Sequence, residues 1–191
     1  MRIHFSLGLA LLMVLALTIT IRGDALVADR FTFTRPPAPE STVDPKGRLS
    51  IEIDRWSNDS ERDQLLATLA ADGEEKLLNA FRDVGRIGTL QWPGGLDYTV
   101  RYARSENRPD GSTEVVLVVD RPLWMWWESA PRSTPYPYTL IQMRLGKDGS
   151  GEGRVSLGVP PTSDKTMGAV LSDYTKAPAV LVDVRRGRDA T

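Results

Sequence analysis

Apolar and polar residues alternate through most of this chain, which divides it into short strands with one early interruption at helical spacing. Leu49, Ile51 and Ile53 alternate with Ser50, Glu52 and Asp54, the period-two pattern of a strand with one wet face. Phe31-Thr32-Phe33-Thr34 alternates more briefly and reads as a first strand, ended by Arg35-Pro36-Pro37. Between them, Pro36–Gly47 is rich in proline and turn formers and predicts an extended arm or loop. Asn58 followed three residues later by Glu61 forms a capping-box pattern, and Leu65, Leu66 and Leu69 then repeat at helical spacing. A helix from about Asp59 to Ala71 is expected. Asp72 with Glu75 repeats the arrangement, and Leu77, Leu78, Phe81 and Val84 mark a second amphipathic face closed by Gly85.

Strand signals then resume. Ile87–Trp92 reads as a short strand cut by Pro93-Gly94-Gly95. Arg108-Pro109-Asp110-Gly111 supplies a preset proline and a glycine free to take positive φ, so Tyr98–Ser105 and Thr113–Asp120 should pair as a hairpin. Within it, Val115–Val119 is an unbroken apolar run, mostly β-branched, and predicts a central strand covered on both faces. Thr139-Ile141-Met143-Leu145 and Val155-Leu157-Val159 flank Gly146–Gly153, which reads as the glycine-rich tip of another hairpin, and Pro160-Pro161 ends the meander. Thr166–Tyr174 fits a short helix or a strand, with strand preferred. Val180–Val184 is the last strand, and Arg185-Arg186-Gly187-Arg188 reads as a solvated basic tail. The sum is an α+β fold: six to eight strands in a mainly antiparallel curved sheet or partly closed barrel, with an inserted helical pair. In outline, residues 1–25 are a signal or anchor, 26–47 an extended arm, 48–186 one globular domain and 187–191 a tail.

After Pro122 the chain carries Trp124, Trp126 and Trp127, three of its five tryptophans, and then Tyr136 and Tyr138. Flat aromatic faces stack on sugar rings or apolar ligands at low entropic cost, so these five residues form a candidate binding rim. The competing reading is a cap that seals one end of the sheet, since tryptophan is largely buried in most small domains.

Composition narrows the chemistry. With 191 residues, 26% charged and 41% hydrophobic, the chain is long enough for one domain with a real core. Its net charge of −1, without a basic stripe, argues against nucleic acid as a partner. Arg2 and His4 precede an apolar run from Phe5 to Ile21, and Gly23 and Ala25 fit the small positions before a cleavage site. That pattern predicts export to the periplasm or outside the cell, or an uncleaved membrane anchor at Phe5–Ile21. Cysteine is absent and the single histidine is His4, so a mature chain beginning at Leu26 has neither. Ser-His-Asp and Cys-His catalysis, a zinc site of the usual ligands and a thiol redox pair are therefore not expected, and no cofactor or metal is implied.

Carboxylate pairs remain as a route to acid/base chemistry. Glu52, Asp54, Asp120 and Glu128 lie near strand ends or the aromatic loop, and two of them at a fixed separation would suit glycoside hydrolysis. Gly149-Ser150-Gly151-Glu152-Gly153 lacks the following helix and the Lys-Ser/Thr of a phosphate cradle. Tyr174-Thr175-Lys176 lacks the spacing and βαβ context of a dehydrogenase pair, and Asn58-Asp59-Ser60 reads better as a helix cap than as a glycosylation sequon.

Three pieces carry a resemblance: Asn58-Asp59-Ser60-Glu61-Arg62-Asp63, Asp120-Arg121-Pro122, and Asp173-Tyr174 through Pro178 to Val184. From about Lys46 to Arg186 the chain resembles a family of short exported bacterial proteins of no known activity. The resemblance implies export and a compact strand-rich domain with a helical insertion; it implies no catalytic residue. The resulting expectation is an exported, non-enzymatic binding or envelope-associated domain whose aromatic loop takes a small apolar or carbohydrate ligand. The alternatives are a purely structural or protein-interaction envelope protein, and a carboxylate-dependent glycosidase.

Overall fold

The computed structural model describes residues 29–34, 48–73, 76–91, 97–123, 138–156, 161–177 and 179–187. In chain order its elements are β1 (Asp29–Thr34), β2 (Leu49–Ile53), α1 (Asp59–Asp72), α2 (Leu77–Asp83), β3 (Gly88–Gln91), β4 (Tyr98–Asn107), β5 (Thr113–Val119), β6 (Thr139–Leu145), β7 (Ser150–Val155), β8 (Pro161–Asp164), β9 (Gly168–Leu171) and β10 (Ala179–Gly187). Eight strands close into a barrel in the order β1-β10-β7-β6-β5-β4-β3-β2, every neighbouring pair antiparallel. The expected curved sheet is thus fully closed. β8 and β9 form a separate two-stranded ribbon inserted between β7 and β10.

The run Val115–Val119 is buried on both faces for the reason its composition suggests. Val115, Leu117 and Val119 point into the bore, while Val116 and Val118 point outward into a second cluster beneath the helices and the ribbon. Side chains from all eight strands fill the bore, among them Phe31, Phe33, Ile51, Leu90, Ile141 and Leu181, each fully buried. An eight-stranded barrel is just wide enough for such filling, and each large apolar side chain so buried contributes roughly 1.5–3 kcal/mol. Outside, Leu65 of α1 and Leu77 and Phe81 of α2 pack with Tyr102, Tyr138, Leu140 and Met167 over the β4–β6 wall. α1 starts at the capping box read from sequence: Glu61 N donates to Asn58 Oδ1, and Asn58 N donates to Glu61 Oε2, both at 2.9 Å.

Three details differ from the sequence reading. The glycine-rich stretch is not a long hairpin tip. Its turn is only Gly146–Gly149, and Ser150–Val155 is strand β7 paired with β6 and β10. Side-chain alternation cannot reveal Gly151 and Gly153, yet a Cβ on Gly153 would sit 3.0 Å from Met143 Cγ and 3.1 Å from Leu181 Cδ1, which occupy that part of the bore. Asp72 closes α1 instead of capping α2, which begins after Lys76 without a side-chain cap. The meander does end before Pro161, as expected, and Pro161 opens β8 of the separate ribbon. Finally, Arg185 and Arg186, though exposed, are not a tail: they pair with Thr32 and Phe31 and complete the wall that closes on β1. β10 reaches that register through a bulge at Val182–Asp183, where Asp183 takes φ 51°. The segment Thr166–Tyr174 holds strand β9, as preferred.

The two ends of the barrel differ. One carries the tight β4–β5 and β6–β7 turns, the helical connection from β2 to β3, the start of β1 and the end of β10; the ends of β1, β3, β5 and β7 lie at the other.

Candidate functional site

The aromatic segment leaves the barrel from that second end, and its base is well defined. Asp120 N donates to Thr99 O at 3.2 Å, continuing the β4–β5 ladder one residue past β5. Leu123 N then donates to Thr139 Oγ1, which itself donates to Arg121 O, both at 3.0 Å. One buried hydroxyl therefore ties together the departure and return of the loop, meeting the backbone needs that Pro122 cannot help to satisfy. Leu123 is 1% exposed and belongs to the bore cluster, which it closes at this end. Beside it, Arg101 donates to Asp120 Oδ2 at 3.0 Å, and the Arg121 guanidinium lies 5.2 Å above the ring of Tyr98.

Of the proposed rim residues, Trp124, Trp126, Trp127 and Tyr136 lie outside the described residues. Tyr138 is 4% exposed and packs edge-on against Phe81, ring centres 5.4 Å apart at 70°, so it sits in the outer core beneath α2. The sequence could not separate Tyr138 from the rim, because the helix that covers it is more than fifty residues away in the chain.

Each described candidate carboxylate has an arginine. Glu52 pairs with Arg30 at 2.7 Å, Asp54 with Arg86 at 3.1 Å, and Asp120 with Arg101 at 3.0 Å. Glu128 lies outside the described residues. Asp120, Thr99, Thr89 and Glu52 fall on one row across β5, β4, β3 and β2, which separates the two acids by three strand spacings, about 14 Å along an outward-curving wall. Glycosidase pairs stand about 5 to 10 Å apart. Glu52 and Asp120 are therefore too far apart to act as such a pair.

At the opposite end lies a feature that the sequence reading missed. Asp29, 6% exposed, receives Arg186 Nε at 2.8 Å together with Arg186 Nη2, across the closing β1–β10 pair. Next to this ion pair a cleft of about 290 Å³ opens between Gly111, Leu145, Lys147 and Arg186. A smaller cleft of about 240 Å³ lies outside the barrel, by Ser156, Leu171 and Ala177. The available signal was the continued alternation of β10 through Val184 and Arg186, obscured because a charged residue takes the inward place and only its partner Asp29 makes that tolerable.

Two polar clusters fasten the outer elements. Glu114, 7% exposed, accepts from Arg108 and from the Gln142 amide, and Gln142 Oε1 accepts Leu171 N of β9 at 2.9 Å. Arg144 stacks over Tyr174 at 4.0 Å, and the phenol, which burial and then nearby Glu152 push up to about 12, donates towards the Glu152 carbonyl. These contacts join ribbon and turn to the wall. Among the described residues there is no group of three or more potential ligands that could hold a metal, and no helix long and apolar enough to cross a membrane. Comparison with protein-family models, curated proteins and solved structures gives no match for this chain.

Proposed function

We propose that this chain is an exported, non-enzymatic binding or envelope-associated domain that works from the end of the barrel carrying Trp124–Tyr138, with the bore serving as a rigid core and not as a container. What supports a binding surface is the aromatic run Trp124, Trp126, Trp127 and Tyr136 after Pro122; the filling of the bore by fully buried side chains up to Leu123 removes the interior as a site and favours the structural alternative. A barrel of this size that housed a ligand would need an open apolar interior. Export rests on Arg2, the run Phe5–Ile21 and the small residues Gly23 and Ala25.

The test is iodide quenching of tryptophan fluorescence, comparing the native chain with a variant in which Trp126 and Trp127 are replaced by Phe. Strong quenching that the variant loses supports an aromatic contact surface, and a screen of glycans and apolar ligands follows. Weak quenching together with a destabilised variant removes the binding role and leaves the second reading, a structural or protein-interaction envelope protein. That reading draws on the burial of Leu123 and Tyr138, which flank the segment and both belong to the core.

A further inference from the structure

We infer that Asp72-Gly73, at the end of α1, is the place where this chain undergoes spontaneous succinimide formation, and that Ser112 and Ser150 guard its two other Asp-Gly pairs. The sequence contains three such pairs, at 72–73, 110–111 and 148–149. In the reaction the glycine main-chain nitrogen attacks Cγ of the aspartic acid. The N–Cγ bond forms, a C–O bond breaks, and the hydroxyl leaves as water with the nitrogen's proton. Water then adds back to either ring carbonyl; opening at the α-carbonyl gives isoaspartate and routes the main chain through one extra carbon. Glycine favours the attack because no side chain crowds its nitrogen.

At the two hairpin turns both reacting groups are occupied. Gly111 N donates to Arg108 O and Gly149 N to Gly146 O, each at 2.9 Å. Asp110 Oδ1 accepts Ser112 N at 2.8 Å and Ser112 Oγ at 2.6 Å. Asp148 accepts Ser150 N at 3.0 Å and Ser150 Oγ at 2.7 Å. Each carboxylate is thereby turned towards the residue after the glycine and held in its ionised form, whereas the protonated acid is the better electrophile. The serine bonds hold both carboxyls below the ordinary aspartate range.

The Asp72 carboxyl has no such restraint. The residue is exposed, its side chain makes no hydrogen bond or ion pair among the described residues, and it is the last residue of a helix, where ends fray. Gly73 follows with φ 72°, outside helical geometry. An extra main-chain carbon there would loosen the junction from which α2 carries Leu77, Leu78 and Phe81 into the outer core.

The experiment is incubation of the full chain at neutral pH and physiological temperature, with isoaspartate mapped by enzymatic methylation and peptide mass spectrometry. Isoaspartate is expected in the Asp72 peptide several-fold ahead of the Asp110 and Asp148 peptides, and Asp72→Glu should remove it. Ser112→Ala and Ser150→Ala, checked for a native melting curve, should each raise isoaspartate at their own turn several-fold without changing the rate at Asp72. Equal rates at all three sites would overturn the inference. So would folded serine variants that gain nothing, or an Asp72 that stays intact while an unstructured peptide of the same sequence converts.

Discussion

The Tyr102 hydroxyl donates to the Met167 carbonyl at 2.8 Å, inside the cluster between the barrel wall and the β8–β9 ribbon. The same ring bears on Gly168, whose φ is 85° and where a Cβ would overlap the hydroxyl and lie 2.9 Å from Leu65 Cδ2. Burial raises the phenol well above its ordinary range, so it is a donor at neutral pH. Replacing Tyr102 by Phe leaves a buried carbonyl short of a partner and should cost about 1 kcal/mol in urea unfolding. Gly168→Ala should cost more, because both backbone and ring would have to move.

Leu123 offers the sharpest test of the filled bore. Truncation to Ala should destabilise the chain by about 2–5 kcal/mol through lost burial and the cavity left behind. It should also admit an apolar fluorescent probe that the native chain excludes. A native chain that already binds such a probe would show that the bore holds accessible space.

Asp183 sits at φ 51° within the β10 bulge, with its carbonyl accepting Arg48 Nη2 at 2.6 Å. A β-branched residue fits this conformation poorly, so Asp183→Val should lose ~1–2 kcal/mol relative to Asp183→Gly. The glycine variant should unfold close to the native midpoint, since relief of strain is offset by backbone entropy. Equal stability of the two variants would mean that the bulge relaxes.

Acid stability should depend on aspartates at turns. Asp173 is held at about 2, first by the Thr175 hydroxyl and then by Lys176. A carboxyl lowered in the folded state contributes its stability above the unfolded value of about 3.9 and loses it as pH falls through the folded value. The melting temperature should therefore drop between about pH 4 and pH 2. Thr175→Val should lower it at neutral pH and make the acid drop shallower. An unchanged slope would remove Asp173 from the explanation.

Local signals gave the elements that have local causes. Asn58 and Glu61 announced α1, Pro109 and Gly111 announced the β4–β5 turn, and the run Val115–Val119 announced a strand buried on both faces. What sequence could not show depended on distant partners. Arg186 looks like part of a basic tail until Asp29 stands opposite it. Gly151 and Gly153 look like a loop until β6 and β10 flank them, and Tyr138 looks like surface until Phe81 covers it. At the candidate site, sequence located the base of the loop at Asp120-Arg121-Pro122, but the role of Thr139 as its clasp needed the fold.

Closure through β1 and β10 pairs Arg30 with Gly187, so the wall joins the first described residues of the chain to the last. No shorter stretch can make the barrel, because without β10 both β1 and β7 present open hydrogen-bonding edges. Folding therefore waits for nearly the whole polypeptide, and such distant pairing makes it slow. On the proposal that the chain is exported, that delay would keep the polypeptide unfolded until β10 is available to lock the wall.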